Sequence, residues 1–142
     1  MSRITLDQAN AVIAGAFDKA REMALKPLGV AVLDAGGHLI AYQRQDGAST
    51  GRFQLALGKA AGALFLGISS RKIGAMAAER PTFLAALGPI APAGVIPAAG
   101  GVIVVDESGI AIGAVGISGD LSDMDEACTL AGIAAAGLTA QA

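Results

Sequence analysis

The spacing of apolar positions changes several times along the chain, and each change marks an element. Leu6, Ala9, Ile13, Phe17, Ala20 and Ala24 recur every three or four residues, the signature of one buried helical stripe. Thr5-Leu-Asp-Gln8 in front of them fits a capping box, and Pro27 stops the helix. Leu28 to Leu33 is continuously apolar and of strand length, so the pattern predicts a strand covered on both faces. Asp34-Ala-Gly-Gly37 then reads as a hairpin turn into a second strand, His38 to Arg44.

A second helix is expected from about Gly51 to Gly67, with Ser49 or Thr50 as its cap, and a third from Ser69 or Ser70 to about Glu79. Pro81 to Gly88 reads as one more short helical segment, followed by a Pro/Gly-rich loop from Ile90 to Ala99. Gly101 to Val105 and Ile110 to Ser118 form a second hairpin around Asp106-Glu-Ser-Gly109. The last helix opens at Ser122. The order α-β-β-α-α-β-β-α has hairpins in place of βαβ crossovers, which makes the class α+β, in a single domain over residues 1–142.

Composition narrows the chemistry. Of 142 residues, 32 are Ala and 20 are Gly, with no Trp, so the elements can approach each other closely. All ten basic residues lie at or before Arg80, and six acids follow it. Neither a clustered basic groove nor stacking aromatics are present, which argues against a nucleic-acid partner. The longest charge-free stretch, Pro81 to Val105, is broken by prolines and glycines and does not suit a membrane helix. The lone Cys128 excludes an internal disulfide or a Cys-only zinc site. With no signal-like N-terminus, the expected setting is cytoplasmic.

Lys59 is the one charged side chain between Leu55 and Ile68. It either snorkels past small neighbours to water or lines a pocket that binds an anion or moves a proton. His38, the single histidine, is either a surface residue beside a turn or a general base or haem axial ligand. Four carboxylates between Asp120 and Glu126 lack calcium-loop spacing and read as a charged first helical turn, with Ser122 and Asp125 in a cap-like relation. Cys128 reads as a buried small hydrophobe. Gly113-Ala-Val-Gly116-Ile-Ser-Gly119 superficially resembles a dinucleotide fingerprint but lies in a strand with no βαβ unit around it. Glycines there signal a bulge or close approach of another backbone or of a flat ligand.

Taken together, Val32-Leu-Asp34-Ala-Gly-Gly37-His-Leu, Gln45-Asp46-Gly47-Ala, Ala56-Leu-Gly-Lys59-Ala, Gly100-Gly101-Val and Gly113-Ala-Val-Gly116-Ile-Ser118-Gly119, with Asp123-Met-Asp125-Glu126-Ala behind, resemble the GlcG/HbpS-like family in the same order. That family includes the C-terminal domain of PduO proteins. The resemblance spans Leu6 to about Gly137. It implies a profilin-like α/β/α domain with a five-stranded antiparallel sheet and assembly into homo-oligomers. It also implies haem or another tetrapyrrole as a ligand in some members. The chain departs from the family in carrying Ile103 where a proline is common, and it lacks a dense Glu-x-x-Glu pattern.

On this reading the protein is a cytoplasmic, oligomeric small-molecule-binding domain, with haem or an anionic ligand in a pocket of Asp46, Lys59, Gly100, Gly101, Ser118 and Gly119. His38 is the candidate axial ligand. The alternative is a small metabolic enzyme, an isomerase, lyase or hydrolase of an organic acid, using Lys59 with a carboxylate such as Asp46 for proton transfer. The charge-free end of the last helix, from Ala127 onward, is the segment expected at a subunit contact.

Overall fold

The computed structural model describes residues 2–142. Helix α1 spans Leu6–Glu22, strands β1 and β2 span Gly29–Asp34 and Leu39–Arg44, and helices α2, α3 and α4 span Arg52–Leu66, Ser70–Glu79 and Pro81–Leu87. Strands β3 and β4 (Gly101–Val105 and Ala111–Ser118), helix α5 (Ser122–Ala135) and a two-residue strand β5 (Thr139–Ala140) complete the chain. The five strands form one sheet in the order β2-β1-β4-β3-β5, antiparallel throughout. The sheet is the five-stranded antiparallel one that the family resemblance implied. The local pattern missed β5, because two residues are too few to show a period of two.

Several local expectations hold at the level of atoms. The Thr5 N–H donates to Gln8 Oε1 at 2.9 Å and the Gln8 N–H to Thr5 Oγ1 at 3.1 Å, closing the capping box. Others do not. Gly51 caps α2 without a side-chain bond, in place of Ser49 or Thr50. The last helix stops at Ala135, because Gly137 turns the chain left-handed (φ +72°) and sends it back to pair with β3.

The two sheet faces differ in side-chain size, and that difference places the helices. Val30 and Val32 of β1, Val102 and Val104 of β3, and Val115 and Ile117 of β4 point to one side. There they pack with Val12, Ile13 and Ala16 of α1 and Ile133 of α5. Ala31, Gly101, Ala114 and Gly116 alternate to the other side, where α2 lies. Leu33 and Ile103 also face this side, but where Gly101 and Gly116 stand, α2 backbone and sheet backbone meet. A Cβ on Gly116 would overlap the Ala56 carbonyl oxygen, and one on Gly101 the Lys59 carbonyl oxygen. Helix α5 packs against α1 in the same manner: a Cβ on Gly15 would run into Ala135, and one on Gly132 into the Val12 carbonyl. The Gly132 side of α5 therefore packs on α1 of the same chain, while Leu130, on the charge-free segment expected at a subunit contact, is 44% exposed.

The close approach gives a direct test. Gly116→Ala should cost about 3 kcal/mol or more, since backbone on both sides blocks relief of the overlap. Gly51→Ala, in open space at negative φ, should stay within about 0.5 kcal/mol of wild type. Urea unfolding of both variants measures the difference.

Candidate functional site

Helical spacing puts Arg52, Leu55 and Lys59 along one stripe of α2, and that stripe faces the end of β4 and the start of α5. There the residues line a hollow of about 160 Å³, with Ser118, Asp120, Ser122 and Asp125 on the opposite wall and Ile96 and Ala98 at its rim. Lys59 does not snorkel. It is 4% exposed, and its Nζ donates to the Ile117 carbonyl at 2.9 Å and to Asp125 Oδ2 at 3.1 Å. Asp125 is 1% exposed, and its other oxygen, Oδ1, accepts the Asp120 N–H at 2.9 Å.

Burial acts on this pair from both sides. Loss of water pushes the Lys59 ammonium down from its ordinary pKa, opposed by the charge and hydrogen bond of Asp125 and reinforced by repulsion from Arg52. The same loss of water raises the Asp125 carboxyl, opposed by the Asp120 N–H and by Lys59. Arg52 Nη1 donates to Ser118 Oγ at 3.0 Å. Beneath, Thr129 Oγ1 donates to the Gly100 carbonyl at 2.8 Å, and Ser70 Oγ accepts the Gly101 N–H at 2.7 Å, so the buried polar groups are satisfied.

The structure redistributes the residues singled out from the sequence. Lys59 and Ser118 line the hollow. Gly100 and Gly101 lie under Lys59, and Gly119 lies under Pro27 and Leu28; in each case the chain's own backbone fills the space beside the glycine. Asp46 is exposed on the loop between β2 and α2, and the carboxylate that meets Lys59 is Asp125. Sequence reasoning placed Asp125 in a charged first turn, in a cap-like relation with Ser122, but the N-cap is Leu121 without a side-chain bond and Asp125 turns inward. Its neighbours in sequence held the signal, because Asp125, Cys128, Thr129, Gly132 and Ile133 form one stripe of α5 and all are buried. The other acids of that cluster stay near the surface. Asp120 accepts the Lys26 and Leu121 N–H groups, and Arg71 of α3 binds Asp123 at 2.6 Å and Glu126 at 2.9 Å.

His38 lies at the other end of the sheet. Gly29 pairs with Ser118 while Asp34 pairs with Gly113, so the two ends are five residues apart along β1, about 17 Å. Asp34 builds the turn: its Oδ1 accepts the Gly36 and His38 N–H groups at 2.9 Å each, and Gly37 takes the left-handed φ of +85°. These bonds, the His38 N–H foremost, hold the Asp34 carboxyl below its ordinary range. The imidazole is 81% exposed, with Nδ1 3.2 and 3.3 Å from the two Asp34 oxygens. Beside the turn is a concavity of about 200 Å³, walled by Ala61, Leu64 and Phe65 of α2 and by residues 91–94.

A three-layer domain of this kind, with helices on both faces of a five-stranded antiparallel sheet, defines the class. The sequence matches the family described as "Haem degrading protein HbpS-like" over residues 4–134, and the chain belongs to that family. Three solved structures share the fold. The PduOC:heme complex has a TM-score of 0.87 at 22% identity, covering 99% of this chain and all of that one. Klebsiella pneumoniae protein ORFY has a TM-score of 0.84 at 27% identity, covering 96% and 93%. A double mutant of Streptomyces reticuli HbpS has a TM-score of 0.81 at 26% identity, covering 94% and 87%. No curated protein matches the chain.

Cys128 provides a check on the buried stripe of α5. Burial, with Asp125 adding to it, pushes the thiol up to about 11. At pH 8 a thiol-specific reagent should therefore react with Cys128 only at the rate of unfolding, and urea should release a single reactive thiol. Rapid labelling of the native protein would contradict the burial of this stripe.

Proposed function

We propose that this protein is a haem-binding domain that holds the group at the β1–β2 hairpin, with His38 as axial ligand. The observation that carries the reading is the pairing of His38 Nδ1 with Asp34, which fixes the ring and leaves Nε2 to meet a metal. Ligating histidines in metal sites use the same carboxylate support. Membership of a haem-degrading protein family supports the ligand, as does the haem complex formed by the PduOC structure. The apolar wall of Ala61, Leu64 and Phe65 suits the face of a flat ligand. The Lys59 hollow suits a flat apolar face less well, because charged and hydroxyl side chains (Arg52, Lys59, Ser118, Asp120, Ser122 and Asp125) make up most of its lining. A bound haem would supply an iron centre able to exchange electrons. The chain's own residues would orient His38 and shield one face of the group from water.

Assembly with further copies belongs to the same reading. Phe65 on the wall of the concavity is 42% exposed, so a second protomer would cover the other face of the ligand. A cytoplasmic setting agrees with a fold whose one cysteine is a free thiol.

Haem titration followed by visible absorbance tests the assignment. The wild type should give a saturable Soret band, and His38→Ala should lose its low-spin form while unfolding at the same urea concentration as the wild-type apoprotein. Asp34→Asn should weaken haem affinity about 10- to 100-fold. A wild-type spectrum from His38→Ala would move the axial ligand elsewhere. Light scattering of the haem complex should return a multiple of 13.9 kDa, and the monomer mass would contradict the shared site.

A further inference from the structure

Arg52 stands between two hollows. On one side is the hollow of about 160 Å³ shared with Lys59, Ser118 and Ser122. On the other is one of about 170 Å³ lined by Lys26, Gly47, Ser49 and Gly119. Lys26 lines one of these hollows, Lys59 the other and Arg52 both, while the carboxylates on the wall facing Lys59, Asp120 and Asp125, are each already held by backbone N–H groups. Two of the cations are short of partners. Among the described residues, Arg52 spends one N–H on Ser118 Oγ, and Lys59 spends two donors on Ile117 and Asp125, leaving the remaining proton of a nearly fully buried ammonium. Arg52 and Lys59 also repel each other, since the guanidinium helps to push the lysine down. An anion between them would relieve that repulsion and take up the spare donors.

The walls select the kind of anion. Asp120 and Asp125 oppose a second negative charge, which disfavours phosphate. Ser118 and Ser122 offer hydroxyls for a polar substituent. The small volume admits only a few heavy atoms.

We infer that the hollow shared by Arg52 and Lys59 is a second ligand site, which binds a small organic monocarboxylate with its carboxylate between Arg52 and Lys59. This site is independent of the haem reading, because it lies at the opposite end of the sheet and uses none of the same residues.

The apoprotein, with pyruvate and inorganic phosphate as probes, tests it. Pyruvate should raise the melting temperature saturably at millimolar concentration. It should also shift the backbone amide signals of Ser118 and Ser122 while leaving that of Gly36 in place. Arg52→Gln should keep the unligated melting temperature and the haem titration but lose affinity for pyruvate at least tenfold, about 1.4 kcal/mol. His38→Ala should bind pyruvate as the wild type does, so failure of one site is separable from failure of the other. Three results would each overturn the inference: no saturable pyruvate effect on either readout, equal pyruvate affinity in Arg52→Gln, or tighter binding of phosphate than of pyruvate.

Discussion

Helix α2 lies so close to the sheet that its carbonyl groups occupy the space where side chains of β3 and β4 would otherwise stand. That approach takes Lys59 out of water, and an ammonium so placed must find partners or lose its charge. It finds two: the Ile117 carbonyl on β4 and Asp125 on α5. One side chain on the α2 face thereby reaches past the end of the sheet to the helix packed on the opposite face. A buried ion pair of this kind need not stabilise the fold more than apolar residues of equal volume would. Its consequence here is positional, because α2, the end of β4 and the first turns of α5 are fixed relative to one another by charged groups that tolerate no looser arrangement.

The two ends of the sheet consequently have different chemistry. At the α5 end, cations and hydroxyls converge on a polar hollow walled by carboxylates already bound to backbone, an arrangement suited to a small anion. At the hairpin end, Asp34 both shapes the turn and orients His38 beside an apolar wall contributed by the same helix, α2. The helix serves both ends through different stripes, Arg52-Leu55-Lys59 for one and Ala61-Leu64-Phe65 for the other. A ligand at either end therefore rests on an element that the glycine contacts hold rigidly.

Much of this was legible in the residues. The capping box, both hairpins and the buried character of β1 follow from short-range patterns that the structure repeats almost residue for residue, because each is decided by local hydrogen bonding or by alternation. Strand β5 was not legible: its two residues owe their conformation to β3 and to the turn at Gly137. At the site, Lys59 stood out as the single charge on an apolar helix, and the glycines at 100, 101 and 116 announced a close approach. Whether that approach was made by a ligand or by backbone depends on packing across the sheet, and α2 makes it. Asp125 was hidden among three other acids, although its register with Cys128 and Thr129 put it on the buried stripe. Arg52 was missed because an arginine near a helix start is common and its partner, Ser118, lies 66 residues away.

The claim that Lys59 and Asp125 act as one unit is tested most directly by a double-mutant cycle on unfolding free energy, using Lys59→Met, Asp125→Asn and the double variant. Lys59→Met alone strands a buried carboxylate and should cost about 3–5 kcal/mol. The double variant should be more stable than the sum of the single changes predicts, by about 2 kcal/mol or more. Additive single effects, within about 0.5 kcal/mol, would show that the two groups do not depend on each other and would contradict the account.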